Sequence, residues 1–97
     1  MIIKQHIAND GRILLAICDS NLLNKTFEED NKILDLTSEF YKGEEKNKEE
    51  TIVEIKKAHI VHAIGEETIN LLKELKLLTE NNILIVQGIP HSEIIKE

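Results

Sequence analysis

The stretch Ile2-Ile3-Lys4-Gln5-His6-Ile7-Ala8-Asn9-Asp10-Gly11-Arg12-Ile13-Leu14-Leu15-Ala16-Ile17-Cys18 decides the fold. Ile2 to Ala8 and Ile13 to Cys18 are β-forming runs. The Asn9-Asp10-Gly11 turn joins them, with Gly11 supplying the positive φ that hairpin turns demand. Ile13-Leu14-Leu15-Ala16-Ile17 is apolar on both faces, so the second strand belongs inside the sheet with other elements covering it.

Beyond the hairpin, Asp19 is placed to cap a short helical turn, Ser20 to Leu23. Asn24 suits the left-handed residue that closes such a turn. The charged segments Glu28-Glu29-Asp30 and Asn31-Lys32 lead into a third strand, Ile33-Leu34-Asp35-Leu36, whose alternation is that of a half-exposed strand. Residues 42–50, with Gly43, read as a charged loop. Asn47 and Glu50 then form a capping box. Ile52, Ile55, His59 and His62 follow at helical spacing, with Val61 and Ile64 widening the apolar face until Gly65 ends the helix. Glu66 and Glu67 occupy the first turn of another helix, where acidic side chains favour the positive dipole end, and this helix runs to about Leu78. Asn81-Asn82 turns into a buried strand, Ile83 to Val86. Gly88, Pro90 and His91 begin an irregular tail, and Ser92 to Glu97 forms a final short helix or strand. The order predicts an α+β fold: a mixed or antiparallel sheet starting with an N-terminal β-hairpin and covered by a helical pair. A chain of 97 residues supports one core, hence a single domain over 1–97.

Composition narrows the function. The net charge of −6 opposes attraction to phosphate backbones, so direct DNA binding is disfavoured and RNA association is expected to be indirect or weak. Residues 28–50 carry nine acidic and four basic side chains, which predicts one acidic surface: a solvated face, or a dock for a basic partner. One cysteine cannot form an internal disulfide, and Met1-Ile2-Ile3-Lys4 does not resemble a secretory leader, so a reducing cytoplasm is expected. No apolar run approaches the roughly 20 residues that span a bilayer, and no membrane association is expected.

Each candidate site has a structural reading beside it. Two helices about Gly65 invite a helix-turn-helix comparison, but Glu66 and Glu67 would face phosphate and repel it. His59 and His62, at i and i+3 on one helix, could join Cys18 or His91 around zinc, yet histidines on an apolar stripe need no metal, and none is assigned. Cys18, ahead of a helix N-terminus, could be a nucleophile with His91 or His62 as base. Asp19 beside it raises the thiol pKa instead. Phe40 and Tyr41 beside Gly43 either cap the core or anchor a partner. No phosphate-cradling glycine loop is present, and no cofactor is expected.

Cys18-Asp19 followed by Leu22-Leu23-Asn24-Lys25-Thr26-Phe27, then Phe40-Tyr41-Lys42-Gly43-Glu44, Ile64-Gly65-Glu66 and Gly88-Ile89-Pro90-His91, form an ordered set of motifs. In this set the chain resembles the small archaeal family numbered 424 among domains of unknown function. The position of Asn24 is usually Gly there, and that of His62 commonly Asn, which weighs further against zinc. The resemblance implies an archaeal cytoplasmic α+β protein and supplies no catalytic residues. It draws Asp19, Lys25, Gly43, Glu66, Pro90 and His91, with Cys18, Phe40 and Tyr41, into one candidate surface.

The preferred reading is a non-enzymatic protein-interaction module, an adaptor with a protein partner, linked to translation or RNA handling by analogy. A homodimer through Ile94, Ile95 and the apolar helix face is a second candidate assembly. The alternative is a small-molecule or metal-dependent enzyme with a pocket around Cys18, Asp19, Lys25 and His91.

Overall fold

The computed structural model describes residues 1–96. The N-terminal hairpin forms as its sequence dictates. Strands β1 (Ile2–Ile7) and β2 (Ile13–Cys18) pair antiparallel from Ile2 opposite Cys18 to Ile7 opposite Ile13, and Gly11 turns at φ 86°. Two more hairpins and two helices follow. The first hairpin is β3 (Thr26–Glu29) with β4 (Lys32–Asp35). A two-residue strand, β5 (Glu44–Glu45), precedes helix α1 (Lys48–Lys57). Strand β6 (Ile60–Ile64), helix α2 (Glu66–Glu74) and the hairpin of β7 (Leu84–Val86) and β8 (Ile89–Ile95) complete the chain.

The main sheet runs β5-β1-β2-β6-β8-β7, and β3-β4 stands apart as a second, two-stranded sheet. Every neighbouring pair is antiparallel except β2 with β6, so the sheet is mixed and the fold is α+β. Strand alternation sorts the apolar side chains onto two faces. Ile3, Leu15, Ile17, Val61 and Ala63 meet Ile55 of α1 and Ile69, Leu71 and Leu72 of α2. On the opposite face Ile2, Cys18, Ile64 and Val86 meet Leu22, Leu34 and Leu36 beneath the β3–β4 hairpin. Each fully buried Leu or Ile stabilises the fold by about 1.5–3 kcal/mol over its exposed state.

Three expectations are corrected. The helix predicted through Ile64 stops at Lys57, and Ile60–Ile64 is a strand, so the two helices flank a strand and make no helical hairpin. Periodicity cannot separate a short apolar run from a buried helix segment. Here the β-branched Ile60, Val61 and Ile64 gain more by joining the ladder between β2 and β8. The charged lead-in at 28–32 is itself β3 and a turn, with Asp30 at φ 56°. The strand expected to be buried, β7, is an outer edge of the sheet, whereas Pro90 and His91, expected in an irregular tail, begin β8, an interior strand that takes the strand alternative expected from Ser92 on, with Glu97 outside the described residues. Residues Gln87 (φ 49°) and Gly88 (φ 77°) both turn left-handed between the two strands, the requirement of a tight two-residue hairpin. Other expectations hold: the Asn47–Glu50 capping box forms, and Asn24 sits at φ 69°.

Candidate functional site

The registers gather several of the singled-out residues at one end of the sheet. Ile2 lies opposite Cys18, Cys18 opposite Ile64, and Ile64 opposite His91, so the starts of β1 and β8 meet the ends of β2 and β6. Gly43 belongs to this end too. A Cβ there would collide with the backbone of Ile3, so glycine is required by close approach of two chains. The residues do not share one face. Cys18, Tyr41 and His91 lie on the hairpin-covered side, whereas Glu66 and Pro90 line a groove on the helix side. Lys25 is exposed on the turn after Leu23.

Asp19 has a different partner from the one its neighbours suggest. Its side chain makes no cap hydrogen bond to the turn at Ser20–Leu22. Instead the carboxylate accepts from the backbone N–H of Glu67 at 3.0 Å and of Thr68 at 2.8 Å, and from the Thr68 hydroxyl at 2.7 Å. It therefore caps α2 across 48 residues of sequence. Helix α2 begins at Gly65, which has no side chain to cap with and adopts φ 112°. A Cβ at Gly65 would strike the Asp19 carboxylate. Backbone bonds complete the knot: Asp19 N–H donates to Ile64 C=O at 3.1 Å and Gly65 N–H to Pro90 C=O at 2.8 Å. The Cys18-Asp19, Ile64-Gly65-Glu66 and Ile89-Pro90 motifs thus meet as one structural joint. A helix start with glycine at its N-cap was the sequence signal that an acceptor had to come from elsewhere.

Cys18 is 0% exposed, and burial with the Asp19 charge pushes its thiol up to about 11. A thiol in that state is a core side chain at neutral pH. His91 is half-buried, and desolvation, then the charges of Lys32 and His62, lowers its pKa. Phe40 stacks on His6 with centroids 4.4 Å apart, meets the edge of Tyr41 at 5.0 Å, and meets His62 at 5.6 Å. The rings so packed cover the centre of the sheet. His59 lies in the bend before β6 and His62 within that strand, rather than together on a helix. His59 Nδ1 accepts from Ile13 N–H at 3.0 Å, and His62 pairs with Glu93. Among the described residues, no group of three or more His, Cys, Asp or Glu side chains is placed to hold a metal ion.

The feature that residue-by-residue reading missed is the groove between α2 and the β7–β8 hairpin. It measures about 320 Å³ and is lined by Glu66, Ile69, Asn70, Lys73, Glu80, Ile83, Ile85, Gly88 and Pro90. Its floor is aliphatic and its rim charged, with Lys73 paired to Glu80. Ile85 in its wall is 56% exposed, and Leu84, on the opposite face of the same strand, is 57% exposed. A smaller groove near Met1, Lys48 and Glu67 has a volume of about 190 Å³, and neither groove is lined by Cys18, Lys25 or His91.

A family described as a protein of unknown function, DUF424, matches residues 7–96. The chain belongs to DUF424. Its fold is similar to that of the crystal structure of an uncharacterized conserved protein from Methanopyrus kandleri, with a TM-score of 0.81 at 22% identity over 99% of this chain and 92% of the other. That likeness is one of fold alone. No curated protein matches the chain. Among the described residues, no helix of this DUF424 chain is long and apolar enough to cross a membrane.

Proposed function

We propose that this protein is an interaction module, an adaptor that works by holding a protein partner. The observation that carries the reading is the outer edge strand β7, which leaves Ile85 in the wall of an aliphatic groove and Leu84 on the opposite face, both more than half exposed. Large apolar side chains on an edge strand are an aggregation hazard unless a partner covers them. The chemistry weighed against this reading loses its centre. Cys18 is buried and its thiol is held in the protonated state, and the Asp19 carboxylate is occupied as a helix cap. A link to translation or RNA enters through the partner, because a net charge of −6 opposes direct phosphate contact. Of the dimer candidates, Ile94 and the apolar faces of the helices are used in the chain's own core, and Ile95 alone stays 65% exposed.

The test is affinity purification of the tagged chain from its source cells, with and without ribonuclease, followed by rebinding of the identified partner in purified form. A stoichiometric, ribonuclease-resistant protein partner that is lost with Ile85→Glu and kept with Lys25→Ala is the expected result. A wild-type chain that retains no stoichiometric protein overturns the adaptor reading.

A further inference from the structure

Among the described residues, strand β7 is hydrogen-bonded on one side alone, to β8, with Leu84 opposite His91, Ile85 opposite Pro90 and Val86 opposite Ile89. Residues of an antiparallel pair point both backbone groups to the same side, alternating along the strand. The carbonyl of Pro90 is directed toward β6, where it accepts from Gly65. Ile85 and Pro90 therefore form the pair that is not hydrogen-bonded, and the N–H and C=O of Ile85 point away from the sheet. Both ends of the edge are closed. Ile83 N–H donates to Glu80 C=O at 3.2 Å, and Gln87 N–H donates to the Glu29 carboxylate at 2.8 Å. Gln87 in turn accepts from Glu28 N–H at 3.0 Å, tying β3 to the rim. The open register position between these clamps is the one whose side chain, Ile85, lines the groove.

Resting on the adaptor reading, we propose that the partner docks as an extended segment of alternating apolar and basic residues, which adds to β7 through the backbone of Ile85. Its apolar side chains would enter the groove floored by Ile69, Ile83 and Ile85, and its basic ones would turn to the opposite face. There the exposed Glu28 and Glu29 stand beside the edge, joined to Gln87 through the Glu28 N–H and the Glu29 carboxylate. Charge complementarity selects this occupant over a second copy of the chain. Pairing two β7 edges about a two-fold axis would bring Glu28 and Glu29 of both copies together along one face, and like charges so placed destabilise the pairing.

The experiment uses the full 97-residue chain, labelled with ¹⁵N. It is titrated with an acetylated peptide alternating lysine and valine and with the corresponding glutamate–valine peptide, and followed in parallel through a dilution series without peptide. Saturable shifts centred on the Ile85 amide, slowed hydrogen exchange of that amide, and about tenfold or greater preference for the basic peptide are expected. Glu28→Lys, on the face that receives the basic side chains, should abolish that preference. Ile85→Pro, which removes the outward N–H at an exposed position, should lose binding, while Val53→Glu on the exposed face of α1 should keep it. Equal affinity for the two peptides, no saturable shift, or an Ile85 shift that follows protein concentration alone overturns the proposal, the last in favour of self-association. A purified partner that still binds the Ile85→Pro chain overturns edge docking and leaves the adaptor reading standing; absence of any partner in the affinity purification overturns the adaptor reading itself.

Discussion

Replacing Asp19 by alanine should destabilise this protein far more than a surface aspartate would. The carboxylate accepts three hydrogen bonds, from the N–H groups of Glu67 and Thr68 and from the Thr68 hydroxyl. Loss of an N-cap costs about 0.5–2 kcal/mol. Here Thr68 is 0% exposed, so truncation also leaves its hydroxyl and N–H without a partner where water does not reach, at about 1–3 kcal/mol per group. These costs overlap, and about 3 kcal/mol is the expected sum. Against a total stability on the order of 5–15 kcal/mol for a domain of this size, such a loss lowers Tm by about 12–24 °C. Urea unfolding followed by circular dichroism measures it. Asp19→Asn, which keeps one acceptor oxygen, should lose about half as much. Gly65 supplies the internal control. Its alanine variant brings a Cβ onto the Asp19 carboxylate as well as straining φ 112°, so Gly65→Ala should cost at least about 1 kcal/mol less in the Asp19→Ala background than in the wild type. An Asp19→Ala chain within about 0.5 kcal/mol of wild type, or strict additivity of the two changes, would refute the cap across the sheet.

Three further outcomes follow from the same joint and its surroundings. With its pKa raised to about 11 and its side chain 0% exposed, Cys18 should react with a disulfide reagent at pH 8 only as fast as the fold opens; a rapid stoichiometric phase in the native protein would contradict this. The pKa of His91 lies below its usual 6.5 in the folded chain, so the unfolded chain takes up its proton first. Stability from this group is full above pH 6.5 and declines as pH falls from there through the folded value, and urea midpoints at pH 7.5 and 5.5 should lie closer together in His91→Gln than in the wild type. Gly43→Ala forces a Cβ into the Ile3 backbone and should cost about 1–3 kcal/mol by urea unfolding, and an unchanged midpoint would show that the contact relaxes freely.

Legibility in the sequence followed the range of the forces involved. The β1–β2 hairpin, the Asn47–Glu50 capping box and the left-handed Asn24 are local, each set within a few residues, and all were readable. Ile60–Ile64 was not, because its apolar residues satisfy a helix period and a strand period alike, and only the open position between β2 and β8 selects the strand. The burial of β7 and β8 was misassigned for a related reason: apolar composition reports affinity for a core, while strand order decides which strand reaches it. Leu84 and Ile85 look like core residues and stand at the edge, whereas Pro90 and His91 look like tail residues and sit inside the sheet.

By itself the sequence determined the class of object: an aliphatic α+β fold, acidic, opened by a hairpin. Hydrophobic pattern, turn chemistry and net charge act locally or by sum, and so need no partner in space. Tertiary structure alone decided what the motif residues do. The registers that set Cys18 beside Ile64 and Ile64 beside His91 turn Asp19 from the cap of its own turn into the cap of a helix 48 residues on. The same pairing spends the backbone groups of Leu84 and Val86 on β8 and leaves those of Ile85 facing outward, because Pro90 opposite sends its carbonyl to Gly65.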